Sequence, residues 1–234
     1  MLAVYKRELR AYFTSPLGYV FCGAFLLVVN LVFSIANLMA ARSDLVDVFG
    51  WMLVVLTFTT FILTMRLFSE ELKQKTDQLL LTAPIKLFSL VMGKFFSALT
   101  VFLLALLCTL VWPLIISIYG APNSPAIAGN YIAIVAIAAV YISIGMFISS
   151  LTENQFVAAV GALGVSLLFM VIDQVATAVT SGWLASVLQW ISLFGRYDNF
   201  TRGIFIFTDI VFYLSLCAIF LFLTVRVLEK KRWA

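Results

Sequence analysis

The sequence predicts an all-α membrane protein. It has six transmembrane helices, an N-terminal interfacial helix, an amphipathic cytoplasmic helix between the second and third spans, and an outer half-inserted helical segment before the last span. Three observations carry this prediction. Of 234 residues, 64% are hydrophobic and 11% charged, and the mean hydropathy is +1.12, far from the balance of a soluble domain. Charge-free runs cover 11–41, 48–65, 95–152, 154–172 and 210–225, and about 20 apolar residues in a helix cross a hydrocarbon core about 30 Å thick. The basic residues, finally, segregate to one side of a six-span arrangement.

The chain reads as one transmembrane domain over 1–234. Leu2, Tyr5, Leu9, Tyr12 and Phe13 share one helical face, with basic residues mostly opposite, so 1–16 reads as a helix lying along the inner leaflet and ended by Ser15 and Pro16. The plain positive flank of a membrane anchor is the alternative. A cleavable signal is not expected, because the apolar stretch after Arg10 is too long and no small-residue cleavage site follows. The spans fall near 17–39, 46–66, 95–118, 129–150, 156–178 and 204–226. Two prolines, a glycine and an asparagine in 119–125 break the long run at 95–152 into a hairpin. The polar turn 149–155, carrying Glu153, sends the chain back across.

Both termini are expected in the cytoplasm of a bacterial-type cell (inner) membrane. That placement puts Lys6, Arg7, Arg10, Arg66, Lys73, Lys75, Lys86, Lys94, Arg226, Lys230, Lys231 and Arg232 inside and leaves Arg42, Arg196 and Arg202 outside. The positive balance thus reflects topology and attraction to anionic membrane lipid, and no nucleic acid is expected. The segment 180–195 has helical apolar spacing and no charge before Arg196. A seventh span there would put the basic carboxyl end outside, so a half-inserted or surface-lying helix fits better.

What is missing excludes most chemistry. There is no histidine, which removes triads, His metal sites and His proton relays. Cys22, Cys108 and Cys217 sit singly in three different spans and read as packing residues. No phosphate loop is present, so catalysis and a metal site are not expected, and the chain cannot hydrolyse nucleotide alone. Asp173 is an ionisable group within an expected span. It is either a headgroup-depth residue or part of a translocation path.

The polar island 66–94 remains. Leu72, Thr76, Leu79 and Leu80 recur at helical spacing among Glu70, Lys73, Lys75, Asp77 and Gln78, which predicts an amphipathic helix parallel to the membrane, broken at Pro84. A charged loop that merely fixes topology is the alternative.

From Phe68 this island resembles the cytoplasmic signature of ABC transporter permeases of the type-2 class. Phe68, Glu70, Glu71, Thr76, Leu79, Leu80, Thr82, Pro84 and Ile85 match, with Lys75 where the family usually has glycine and Gln78 where it often has an acidic residue. Residues 5–16, 148–155, 191–194, 199–203 and 221–226 are similar, in order and spacing, to the family's gliding-motility and nitrous-oxide-reductase-maturation branch.

The resemblance implies a permease subunit of an ABC exporter, paired with a second permease copy or a related permease. Two copies of a separate ABC ATPase would bind ATP and Mg, this chain holding no cofactor. Any extracellular domain would belong to an accessory subunit. It also implies that 67–94 is a coupling region seated on the ATPase, through Glu70, Glu71, Lys73, Lys75, Thr76 and Leu80, with Glu153 on the neighbouring turn as a further contact. The competing class of function is an ATP-independent channel or a scaffold of a motility or secretion assembly.

Overall fold

The computed structural model describes residues 1–76, 86–119, 123–178, 183–204 and 206–233. These residues are helical with no strand among them, and six helices are long and apolar enough to cross a membrane: Pro16–Met39, Val46–Lys73, Leu87–Ile118, Ser124–Leu151, Gln155–Ala178 and Phe207–Arg232.

Helix α1 (Leu2–Thr14) ends at Ser15, which is extended ahead of a proline, and Pro16 opens α2 (Pro16–Phe33) at its first turn. The corner is tight. A Cβ on Gly18 would lie 2.6 Å from the Tyr12 carbonyl oxygen, so glycine is required there. Helix α2 runs on into a π-helical turn, Ser34–Met39, whose buried Asn37 donates to the Arg42 and Asp44 carbonyls and so closes the loop to α3 (Val46–Thr64).

Helix α3 and α7 (Ser124–Leu151) form the centre of the bundle. Their most apolar windows are 61% and 67% buried, against 22% for the first, fifth and sixth spans. In α3 the hydroxyls of Thr57, Thr59, Thr60 and Thr64 donate to carbonyls one turn back, and Thr57 also lies 3.4 Å from the Tyr141 hydroxyl of α7. The two central helices cross where Gly145 faces Thr64, since a Cβ on Gly145 would stand 2.2 Å from the Thr64 hydroxyl.

Between them in sequence lie α4 (Ser69–Lys73), α5 (Leu87–Cys108) and α6 (Val111–Tyr119). The break between α5 and α6 follows from Pro113, which has no N–H to give the carbonyl of Thr109, four residues back, so that carbonyl takes the tighter bond from Trp112 N at 3.0 Å. The same carbonyl also accepts the Tyr131 hydroxyl of α7 at 3.0 Å. Helix α8 (Gln155–Ala178) follows the turn after α7, and α9 (Trp183–Ile191), α10 (Phe194–Thr201) and α11 (Phe207–Trp233) complete the chain.

Several expected boundaries move. The third span begins at Leu87 rather than near 95, because Lys94 is accommodated inside the bundle instead of marking its edge. Helix α7 begins at Ser124, five residues before the expected start, because Asn123 caps it through Ala126 N. Helix α9, at 9 residues, is about 13 Å long, too short for a seventh span. Helix α4 stops at Lys73, before Thr76, and the remainder of the amphipathic helix expected through Leu79 and Leu80 lies outside the described residues.

Candidate functional site

Helix α4 is built by capping at both ends. At its start the backbone N–H groups of Phe68 and Ser69 both donate to the Ser149 hydroxyl at 3.1 Å, and that hydroxyl donates to the Met65 carbonyl at 3.2 Å. One serine near the end of α7 thereby satisfies donors that a helix start leaves free. Glu70 and Glu71 stand in the first turn and Lys73 in the last, complementing the helix dipole. At its end Lys75 adopts φ 55, its N–H reaches Leu72 O at 3.2 Å and Thr76 N–H reaches Glu71 O at 3.0 Å. These are the paired bonds of a Schellman stop, in which the left-handed position is normally glycine. The turn forms with lysine in that place, and it prevents Thr76 from continuing the face begun by Leu72.

Under α4 lies a knot of four charges. Lys94 of α5, 1% exposed, places Nζ 3.0 Å from Glu71, 3.3 Å from Glu8 of α1 and 2.6 Å from the Leu67 carbonyl, with the Phe68 ring 5.1 Å away. Arg7 closes the circuit at 2.6 Å from Glu8 and 2.8 Å from Glu71. A buried ammonium requires such compensation, and two carboxylates beside two cations provide it. A second pair binds Arg66 to Glu70 at 3.0 Å, while Arg66 also donates to the Ser15 hydroxyl at 2.8 Å. Tyr12, buried between, donates to the Leu63 carbonyl at 2.6 Å, and its burial pushes the phenol pKa up. Helix α1 therefore does more than lie on a leaflet: Val4 packs on Gly93, Tyr5 bonds Thr100 at 3.1 Å, and Glu8 enters the knot.

The expected site residues thus divide. Glu71 and Thr76 turn inward, Glu71 to the knot and Thr76 to the α4 backbone, and Glu70 pairs with Arg66. Lys73 and Lys75 are exposed at the end of the bundle that carries both termini, as is Glu153 on the turn between α7 and α8. Leu80 lies outside the described residues. Lys94, Glu8, Arg7 and Ser149 escaped the sequence reading. A single acid among the basic residues of α1 was the available signal for Glu8, but nothing in sequence spacing pairs it with Lys94.

Asp173 stands at the opposite end, away from this cluster. It is 6% exposed, accepts from the Ser192 hydroxyl and from Phe194 N at 3.2 Å, and so caps α10. The segment it holds is locked further by Tyr213 to Leu193 O at 2.6 Å, by Arg196 to Asp209 at 2.9 Å, and by Tyr197 to Asn130.

No curated protein sequence matches the chain. Residues 22–233, by contrast, match the family described as ABC-2 family transporter protein. The match takes in most of the first apolar helix and the whole of the other five, so the chain belongs to the ABC-2 transporter family, as the membrane-spanning permease subunit of an ABC transporter.

Proposed function

We propose that this permease transmits ATP hydrolysis on a separate ABC ATPase to the export of a substrate, with α4 as the seat of the ATPase. The carrying observation is the division of charges on one short helix. Lys73 and Lys75 are exposed for a partner, whereas Glu71 is tied to α1 and α5 through Arg7 and Lys94. A displacement of α4 by the ATPase would pass into two other helices rather than be absorbed by a slack loop.

In this reading Lys73, Lys75 and Glu153 make contact with the ATPase. Glu70, Glu71 and Thr76 hold the shape of the element, and Leu80 remains a contact by family resemblance. The termini and α4 face the cytoplasm of a bacterial-type inner membrane, as the segregation of basic residues supports. Two ATPase copies, carrying ATP and Mg, and a second permease complete the transporter. An accessory subunit supplies any extracellular domain. The similarity of residues 5–16 and 148–155 supports the gliding-motility and nitrous-oxide-reductase-maturation branch.

The test is co-expression with an ABC ATPase encoded beside this chain. Lys73→Glu combined with Lys75→Glu is expected to lower ATPase co-purification or stimulated hydrolysis at least about five-fold, with membrane insertion unchanged. Wild-type recovery and activity would overturn the assignment.

A further inference from the structure

At the termini end, α3 and α8 diverge and leave an open groove of ≈ 600 Å³. Its walls are apolar along the two helices, with Phe61 and Met65 on one side and Ala159, Val160 and Leu163 on the other. Its mouth is polar, formed by Lys73 of α4 together with Asn154 and Gln155. The size lies within the about 300–1,000 Å³ range of small-molecule sites.

Two facts limit what such a groove can hold. Both walls belong to helices long and apolar enough to cross a membrane, and the mouth stands at the ends of those helices, where a crossing helix meets the headgroups. Lys73 makes no ion pair among the described residues, whereas neighbouring Glu70 and Glu71 are each paired with Arg66 or with Lys94 and Arg7. The mouth therefore offers an uncompensated cation together with side-chain amides, and the adjoining walls offer only apolar surface. That gradient matches a molecule with an anionic phosphate at one end and a hydrocarbon chain at the other.

From this juxtaposition we infer that the groove binds an anionic phospholipid of the surrounding bilayer, its phosphate on Lys73 and one acyl chain between α3 and α8. The site is separate from the proposed ATPase contact in kind, since it requires neither ATP nor a second protein. It makes the coupling helix responsive to membrane composition, because the lipid phosphate and the ATPase draw on the same lysine.

The test uses the purified full chain exchanged into vesicles of equal parts phosphatidylcholine and phosphatidylglycerol, then analysed for retained lipid by native mass spectrometry. Wild type is expected to retain phosphatidylglycerol in preference to phosphatidylcholine. Lys73→Gln should reduce that preference about five-fold, the ratio for one lysine at a lipid surface. Val160→Trp, which fills the groove from a position 53% exposed, should lower retention of both lipids. A tail variant, Lys230→Gln with Lys231→Gln and Arg232→Gln, should retain the wild-type preference.

Unchanged retention in both groove variants overturns the inference. So does a preference lost only in the tail variant, which would reduce it to general attraction by basic residues. A photo-reactive amino acid at position 160 that cross-links to a second copy instead of lipid would show the groove covered by protein and overturn it equally. None of these outcomes touches the ATPase reading, which rests on recovery of the ATPase.

Discussion

Replacing Lys94 by methionine isolates the contribution of the buried knot. The substitution keeps most of the side-chain length and apolar stem, so packing in the 1% exposed site is largely preserved while the ammonium is removed. Breaking a fully buried ion pair costs about 3–5 kcal/mol, chiefly because the remaining charge is stranded. Here the stranded groups are Glu71 and Glu8, which are 18% and 14% exposed and retain Arg7 within 2.8 Å, so the loss falls below that range. The expected loss is about 2–3 kcal/mol, or a fall in Tm of roughly 5–10 °C for a chain of this size.

Thermal unfolding in detergent measures the loss, and hydrogen exchange locates it. Amides of 68–76 should exchange faster in Lys94→Met, while those of 194–201 at the other end should not. Adding Glu71→Gln should cost less than the sum of the two single changes, by about 1–3 kcal/mol, because both remove the same interaction. A fall in Tm under about 2 °C, or strictly additive effects, would refute the view that the knot braces α4.

Other substitutions test the local geometry. Lys75→Gly should raise stability by about 0.5–1 kcal/mol, since lysine occupies a left-handed position that disfavours side chains; Lys75→Val should lower it, and the comparison is again thermal unfolding. Asp173→Ala should cost about 1–2 kcal/mol and loosen exchange at 192–196, whereas Asp173→Asn keeps an acceptor for Phe194 N and should cost less than the alanine change. If Asp173→Asn abolished substrate movement while leaving stability intact, the carboxylate would be part of a path as well as a cap.

The six crossings were legible because crossing a bilayer demands length and apolarity, and both are written locally in the chain. Their packing order was not, because α7, the most buried helix, is hardly more apolar in sequence than the three most exposed spans. The start of α5 was misplaced for a related reason. A lysine at the edge of an apolar run is expected to reach water, and Lys94 instead finds Glu8, eighty-odd residues away in sequence, and Glu71. The end of α4 depended on one backbone angle at Lys75. The glycine that would have announced the stop is missing, so the apolar spacing of Leu72 and Thr76 gave no sign that α4 ends at Lys73. Pro113 was visible and its effect predictable in principle, but only the fold shows that Tyr131 also bonds the Thr109 carbonyl.

That α4 is where an ATPase engages this permease is most directly tested by site-specific photo-cross-linking in the membrane. A photo-reactive amino acid is placed at Gln74, exposed beside Lys73 and Lys75, and separately at Trp190, exposed at the opposite end of the bundle. A covalent product with the ABC ATPase is expected from position 74 and none from position 190. A product from position 190 alone, or from neither position in a complex that still hydrolyses ATP, would contradict it.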